Sequence, residues 1–141
     1  MKSRETLIRL HRFQVDEKRR QVTDIEAMIA DFERKEVELD QQIEVEQQRS
    51  GITDESHFAY PMFAKAARQR RDNLRTSVEE LEGRLTIAKA DLSDAFAELK
   101  KFELMHERDE ARQRQEDDQR EREALDEIAL GMHRAEALKP A

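Results

Sequence analysis

Cysteine and tryptophan are absent from this 141-residue sequence, and it contains only three glycines, two prolines and one tyrosine. Without cysteine the chain forms no disulfide bond and has no thiol chemistry, which fits a reducing compartment. So few glycines and prolines argue against a turn-rich sheet protein and allow long, uninterrupted helices. These absences favour an all-α protein.

Long apolar runs are also missing. No stretch approaches the roughly 18 apolar residues that a membrane span needs, and charges interrupt the opening segment where a signal peptide would have its apolar core. Apolar residues make up 37% of the chain, below the roughly one half that is usual in compact domains. We therefore expect a soluble protein without a broad globular core and without direct membrane insertion.

Charged residues account for 42% of the chain, with a net charge of −7. Residues 1–20 carry seven Lys or Arg against three Asp or Glu, whereas residues 21–49 carry three against nine. Such a composition is also typical of disorder, so the arrangement of the apolar residues has to decide. Short basic blocks in an acidic chain argue against nucleic acid as a partner.

Apolar residues recur with a heptad period in both halves of the sequence. The first-half residues are Ile8, Val15, Val22, Ile29 and Ile43 at position a, and Ile25, Phe32 and Leu39 at position d. Glu36 is the polar exception in the a row. In the second half, nine consecutive a and d positions from Leu74 to Phe102 are apolar. This regularity predicts two coiled-coil helices and not a disordered chain.

Two such helices joined by one short break fold back on each other as a long antiparallel coiled-coil hairpin. The predicted parts of this single 1–141 domain are helix 1 at about 3–49, a tip loop at about 50–60, helix 2 at about 61–123 and an amphipathic tail at 124–141. Proline suits the first turn of a helix, so Pro61 marks the start of the second one. We expect an all-α hairpin with a C-terminal helical extension.

The register that centres on the loop sets Ile8 against Phe102, and a slip of one heptad is the alternative. Glu36 and Arg71 are polar residues in neighbouring layers of this seam. They either contact each other and fix the register, or both extend their long side chains to water.

Residues from about 108 onward have no partner in this register. The segment 109–123 is polar on all sides, which predicts an exposed helical extension. Beyond it, Leu125, Ile128 and Met132 form a short amphipathic patch. This patch is either a docking segment or a loose tail.

Apolar residues that point away from the seam are the candidate contact sites of a rod. At the open, terminal end of the hairpin, Leu10, Phe13 and Leu104 occupy outward heptad positions, with Leu7 and Phe96 on the flanks. In the predicted register these residues lie near one another. We expect a partner-binding surface there.

The tip segment SGITDESHFAYPMF, residues 50–63, concentrates aromatic residues. Its candidate contact residues are Phe58, Tyr60, Met62 and Phe63. These side chains either fold over Ile43 and Ile52 as a cap or remain exposed for a partner. The end of a two-helix rod has too little surface to bury all of them, so we expect that some bind a partner.

Motifs for catalysis are missing. Three isolated glycines form no phosphate-binding loop, and a two-helix rod has no concave pocket from which water is excluded. His106 lies within a turn of Asp109 and Glu110, but in a chain this acidic we interpret the group as a solvated face and not as a metal site. The prediction is a protein that is not an enzyme, with no catalytic, cofactor-binding or metal-binding residues.

The opening LIRLHRFQVDEKRRQV, the two-helix plan, the length and the richness in charge resemble the FliJ family, a small component of the bacterial flagellar type III protein export apparatus. The resemblance covers nearly the whole chain. It implies an antiparallel coiled coil similar to the gamma-subunit stalk of rotary ATP synthases.

For function, the resemblance implies a non-enzymatic cytoplasmic protein that associates peripherally with the inner membrane at the flagellar base and serves motility and chemotaxis. Its implied partners are the hexameric flagellar export ATPase, in whose central hole it sits, the membrane export gate protein, and the export chaperones that it escorts as a general chaperone. By the stalk analogy, the open-end residues contact the ATPase ring and the tip residues contact the gate.

Two other functions compete with this one. A self-associating coiled-coil scaffold or adaptor predicts oligomers that depend on concentration, whereas a stalk protein is a monomer when alone. A nucleic-acid-binding hairpin would use the basic block that includes Arg19 and Arg20, and the net charge opposes it.

Overall fold

Two long α-helices joined by one loop make up the computed structural model, which describes residues 2–138. Helix α1 spans Lys2–Ser50 and helix α2 spans Met62–Ala137. The helices pack against each other, and none of the described residues lies in a β-strand. The predicted all-α helical hairpin is confirmed.

Burial follows the heptad pattern. Every a and d position of α1 from Ile8 to Glu46 is buried or half-buried, and so is every one of α2 from Ala64 to Asp109. The buried seam residues are Ile8, Val15, Val22, Ile43, Ala64, Ala67, Val78, Leu81, Ala88 and Leu99. Each layer holds one side chain from each helix. The core is therefore a single line of buried residues along the hairpin and not a broad globular core.

The contacts along the seam define the register of the hairpin. Leu99 packs in one cluster with Ile8 and Val15, so it lies between their two layers, opposite His11. The His11 ring stacks on Phe102, with centroids 4.5 Å apart. This register sets Ile8 against Phe102, as predicted, and excludes the slip of one heptad.

The reversal of the chain begins at Gly51 and ends at Pro61. Gly51 has φ +74°, a left-handed conformation that glycine adopts without strain. Its N–H donates to the Gln47 carbonyl at 2.9 Å and closes the last turn of α1. Pro61, with φ −58°, directly precedes α2 and has a backbone angle that suits a helix entry.

Helix α2 continues well beyond its partner. Every residue from Glu110 to Leu138 is exposed. The helix also passes residue 123, where the sequence predicts a change to a separate tail, and continues to Ala137. Gly131 costs a helix only about 1 kcal/mol relative to alanine, which is too little to end it, and Pro140 lies outside the described residues. The predicted tail is therefore the last part of α2.

Candidate interaction surfaces

The two polar seam residues, Glu36 and Arg71, both have partners on the opposite helix. Arg71 Nη1 lies 3.0 Å from Asp40 Oδ1, and Glu36 pairs with Arg75. Burial opposes the charged form of Arg71, but hydrogen bonds to Asp40 and Asp72 outweigh it and raise the pKa of Arg71 above its ordinary value. The structure thus shows neither a direct Glu36–Arg71 contact nor two side chains extended to water.

An open groove lies on the other flank of the same layers. It has a volume of about 430 Å³, and Leu39 and Leu74 line it. The polar residues around it are Lys35, Glu38, Gln42, Arg70, Asn73 and Ser77. A second groove shares Glu38 and Gln42 with the first and reaches Phe63. Accessible apolar surface therefore continues from the tip into the neighbouring part of the seam.

The open-end candidates Leu10, Phe13 and Leu104 are all exposed, Phe13 with 61% of its surface. Phe13 and Leu104 both occupy heptad position f, the outermost position, on different helices. They therefore face opposite sides of the rod and form no single patch. Leu7 and Phe96 are exposed to a smaller degree on the two flanks.

Met105 is an exposed apolar residue at the open end that sequence reasoning missed. It occupies position g, which faces the g position of Leu7 across the flank of an antiparallel pair in this register. The g position of Met105, opposite Leu7, is the sequence feature from which its place at the open end could have been predicted. With Met105 included, apolar side chains are distributed around the whole circumference of the open end.

Three of the four tip candidates stand in solvent. Phe58 is 96% exposed and Met62 85%, and Phe63 is also exposed. The Phe58 ring stacks on His57 with centroids 4.7 Å apart and does not fold over the seam. Of the two alternatives, a cap over the seam or exposure to solvent, these three residues therefore follow the second.

Tyr60, the fourth candidate, is a buried part of the tip with 8% of its surface exposed. Its hydroxyl accepts a hydrogen bond from Gln47 Nε2 at 3.0 Å. The Arg68 guanidinium lies 5.9 Å from its ring centroid, and Arg68 Nη1 lies 2.6 Å from Glu55 Oε1. Because the fold already covers the ring, the cap interpretation applies to Tyr60.

Hydrogen bonds order the turn that precedes Phe58. Asp54 Oδ1 accepts from the Ser56 hydroxyl at 2.7 Å and from the Ser56 N–H at 3.0 Å. These two bonds lower the pKa of Asp54 below its ordinary value. The Ala59 N–H donates to His57 Nδ1 at 3.0 Å. The turn is thus held locally, by polar contacts and not by packing.

The group around His106 consists of ordinary surface pairs. His106 Nε2 lies 3.0 Å from Glu110 Oε1, while Asp109 pairs with Arg4 and Arg112. Within residues 2–138, no three or more His, Cys, Asp or Glu side chains are arranged to hold a metal ion. The described helices also include none that is long and apolar enough to cross a membrane.

A helical hairpin with exposed apolar residues at both ends is typical of coiled-coil proteins that act by contact with other proteins. The family described as "Flagellar FliJ protein" matches residues 1–137, and the chain belongs to this family. Membership implies a protein related to flagellar export, in a family of export components and not of known enzymes. No curated protein and no solved structure shows significant similarity to the chain.

Proposed function

We propose that the protein is a stalk in the hexameric ATPase ring of the flagellar export apparatus and links this ring to the export gate. In this proposal the open end enters the central hole of the ring and the tip meets the gate protein in the membrane. The protein also escorts export chaperones to the gate. It works in the cytoplasm, peripherally associated with the inner membrane at the flagellar base, and in this role supports motility and chemotaxis.

The observation that carries this proposal is the family match over residues 1–137. The geometry of the open end supports it. A ring contacts an inserted rod from all sides, and Phe13, Leu104, Leu7 and Met105 supply exposed apolar contacts on different sides. From Phe13 to Ser50, α1 extends on the order of 55 Å at 1.5 Å per residue, so a tip at this distance is free to reach a second partner.

The tip supports a separate contact with the gate. Phe58 and Met62 expose most of their surface. Accessible surface continues from Phe63 through the second groove to the first groove, which Leu39 and Leu74 line. Exposed apolar residues in one place, rimmed by polar side chains, are typical of protein interaction sites.

The ATPase rate of the export ATPase from the same organism tests the ring contact, measured with and without the protein at sub-micromolar enzyme. We expect stimulation together with hexamer formation. A folded rod that neither binds nor stimulates the enzyme would refute the stalk role. For the gate contact, Phe58→Ala is expected to weaken binding to the cytoplasmic part of the gate protein, and Val37→Ala, which alters an exposed residue of α1 away from the tip, serves as the control.

A self-associating scaffold or adaptor is the second candidate function. The observation that favours it is the exposed apolar stripe of Leu125, Ile128 and Met132 on the unpaired part of α2. Sedimentation over a wide range of protein concentrations separates the two functions. A stalk stays monomeric, whereas a scaffold forms larger species as concentration rises.

A further inference from the structure

Four side chains tie the tip loop to the two helices. Gln47 of α1 donates to the Tyr60 hydroxyl at 3.0 Å. From α2, Arg68 reaches back to Glu55 with an Nη1–Oε1 distance of 2.6 Å, and its guanidinium lies 5.9 Å from the Tyr60 ring centroid. We call Gln47, Glu55, Tyr60 and Arg68 the tip clasp. It joins Tyr60, at the end of the loop, to both helices, and Glu55, in the middle of the loop, to α2.

Apart from the clasp, little fixes this loop to the rod beyond the hydrogen bonds between Ser50 Oγ and the Ile52 backbone at the start of the loop. Every residue from 53 to 59 is exposed, and Ile52 is only half-buried. The hydrogen bonds of Asp54 and His57 shape the turn internally but do not attach it to either helix. An exposed loop without packed side chains opens easily. The clasp therefore carries most of the attachment.

Arg68 is the centre of the clasp, because it contacts two loop residues at once. A planar guanidinium both donates hydrogen bonds and stacks over an aromatic ring, which a lysine ammonium does not reproduce. Glu55 is the largest cause of the raised pKa of Arg68, so the ion pair favours the charged arginine. Arg68 Nε is buried without a hydrogen-bond partner. That unfavourable burial fits a side chain placed for its contacts with Glu55 and Tyr60.

We infer that Arg68 is the positioning residue of the tip: through Glu55 and Tyr60 it holds loop 51–60 against the helices and so keeps Phe58 directed into solvent. Because Tyr60 is buried, it does not itself contact a partner. The clasp acts instead by setting the conformation of the loop. The consequence for gate binding rests on the proposed function. The effect on the loop does not.

The first experiment needs no partner. In Arg68→Gln, amide hydrogen exchange of Tyr60, whose N–H donates to the His57 carbonyl at 3.0 Å, is expected to become about tenfold faster, as is chymotrypsin cleavage after Phe58. Arg84→Gln removes the same charge from an exposed position of α2 and is expected to change neither rate. Unchanged exchange and cleavage in Arg68→Gln would overturn the inference.

Reciprocal substitutions separate the clasp from a general loss of charge. Arg68→Glu and Glu55→Arg alone each place like charges together and are expected to speed the exchange of Tyr60. Their combination restores the ion pair and is expected to recover at least half of the loss on a logarithmic scale. Tyr60→Phe, which removes the hydroxyl and its bond from Gln47 but keeps the ring beside Arg68, is expected to show a smaller increase. No recovery in the double variant would contradict the role of the Glu55–Arg68 pair.

The second experiment measures binding to the cytoplasmic part of the gate protein. Arg68→Gln is expected to weaken binding about tenfold and Tyr60→Phe by a smaller factor, in the order of their exchange rates. If Phe58→Ala weakens binding but Arg68→Gln does not, the positioning role is wrong while the proposed gate contact stands. If Phe58→Ala leaves binding unchanged, the gate contact of the tip is wrong, and the exchange results alone decide on the clasp.

Discussion

Arg71 of α2 and Asp40 of α1 lie 3.0 Å apart, from Nη1 to Oδ1, across a seam that is otherwise mostly apolar. The Arg71 side chain is only 16% exposed, so its charge has lost much of its contact with water. Such pairs contribute little net stability, because desolvation cancels much of the attraction. Their better-supported role is to specify one register out of several.

Replacement of Arg71 by leucine tests this balance. Arg71→Leu is expected to raise stability by about 1 kcal/mol, or the melting temperature by about 4 °C, because an apolar residue fills the layer beside Leu39. Asp40 is partly exposed and keeps Arg75 within 3.8 Å, so it is not left isolated. Thermal melting followed by circular dichroism measures the change. A loss of stability would mean that the ion pair is a net stabiliser.

The seam is the structural core, and Val15 is its sharpest test. Val15 is 2% exposed and packs with Ile8 and Leu99. Val15→Asp buries an unpaired charge and is expected to lower the free energy of unfolding by about 3 kcal/mol. Phe13→Asp, two residues away on the outer face, is the matched control and is expected to leave the melting temperature nearly unchanged. Equal effects of the two substitutions would show that the seam is assigned wrongly.

Opposite faces of the open end are predicted to act independently in the ATPase ring. Phe13→Ala and Leu104→Ala are each expected to reduce ATPase stimulation by roughly tenfold at limiting protein, a typical cost of truncating an important interface residue. Helicity is expected to remain unchanged because both side chains are exposed. Since the two residues face different sides, the combined variant is expected to show additive free-energy losses. Normal stimulation by both single variants would exclude the open-end contact.

Asp54 makes the tip turn sensitive to acid. Hydrogen bonds from Ser56 hold its pKa below the ordinary 3.8, so ionised Asp54 stabilises the turn above that value. The stabilisation is lost as pH falls through the lowered pKa. The Ser56 amide resonance is therefore expected to titrate with a midpoint below 3.8, and Asp54→Asn is expected to abolish this titration. A midpoint at or above the ordinary value would contradict the two hydrogen bonds.

The unpaired part of α2 is predicted to be dispensable for stability. A chain that ends after Glu110 keeps Asp109, which pairs with Arg4, and each residue from 111 to 138 that it loses is exposed. Its free energy of unfolding is expected to stay within about 0.5 kcal/mol of the full chain. Chemical denaturation measures the difference. A larger loss would reveal contacts between this segment and the hairpin.

The hairpin was predictable because the residues of its seam recur with a regular heptad spacing in the sequence. A seven-residue spacing from Ile8 to Ile43 and from Leu74 to Phe102 specifies which face of each helix is buried, and the Gly51 to Pro61 break specifies where the chain reverses. The end of α2 was not predictable to the same degree. Its last turns carry no packing signal, and only a weak glycine penalty separates a helix from a tail.

The tip was only partly predictable. Composition shows that aromatic residues collect there, but Phe58 and Tyr60 look alike in the sequence. Their different exposure depends on the bond from Gln47 and on the reach of Arg68, which are contacts between distant residues that no local pattern encodes. The partners of Glu36 and Arg71 escaped prediction for the same reason, since several flank residues of suitable charge lie within reach.

The unsupported end of α2 also determines how the molecule moves in solution. A helix of 76 residues is about 115 Å long at 1.5 Å per residue, several times the width of a two-helix rod. A 16.7 kDa protein of that length experiences far more friction than a sphere of equal mass, so it elutes early in gel filtration and sediments slowly even as a monomer. Mass has to be measured by light scattering, because a monomer of this shape would have the elution volume of an oligomer.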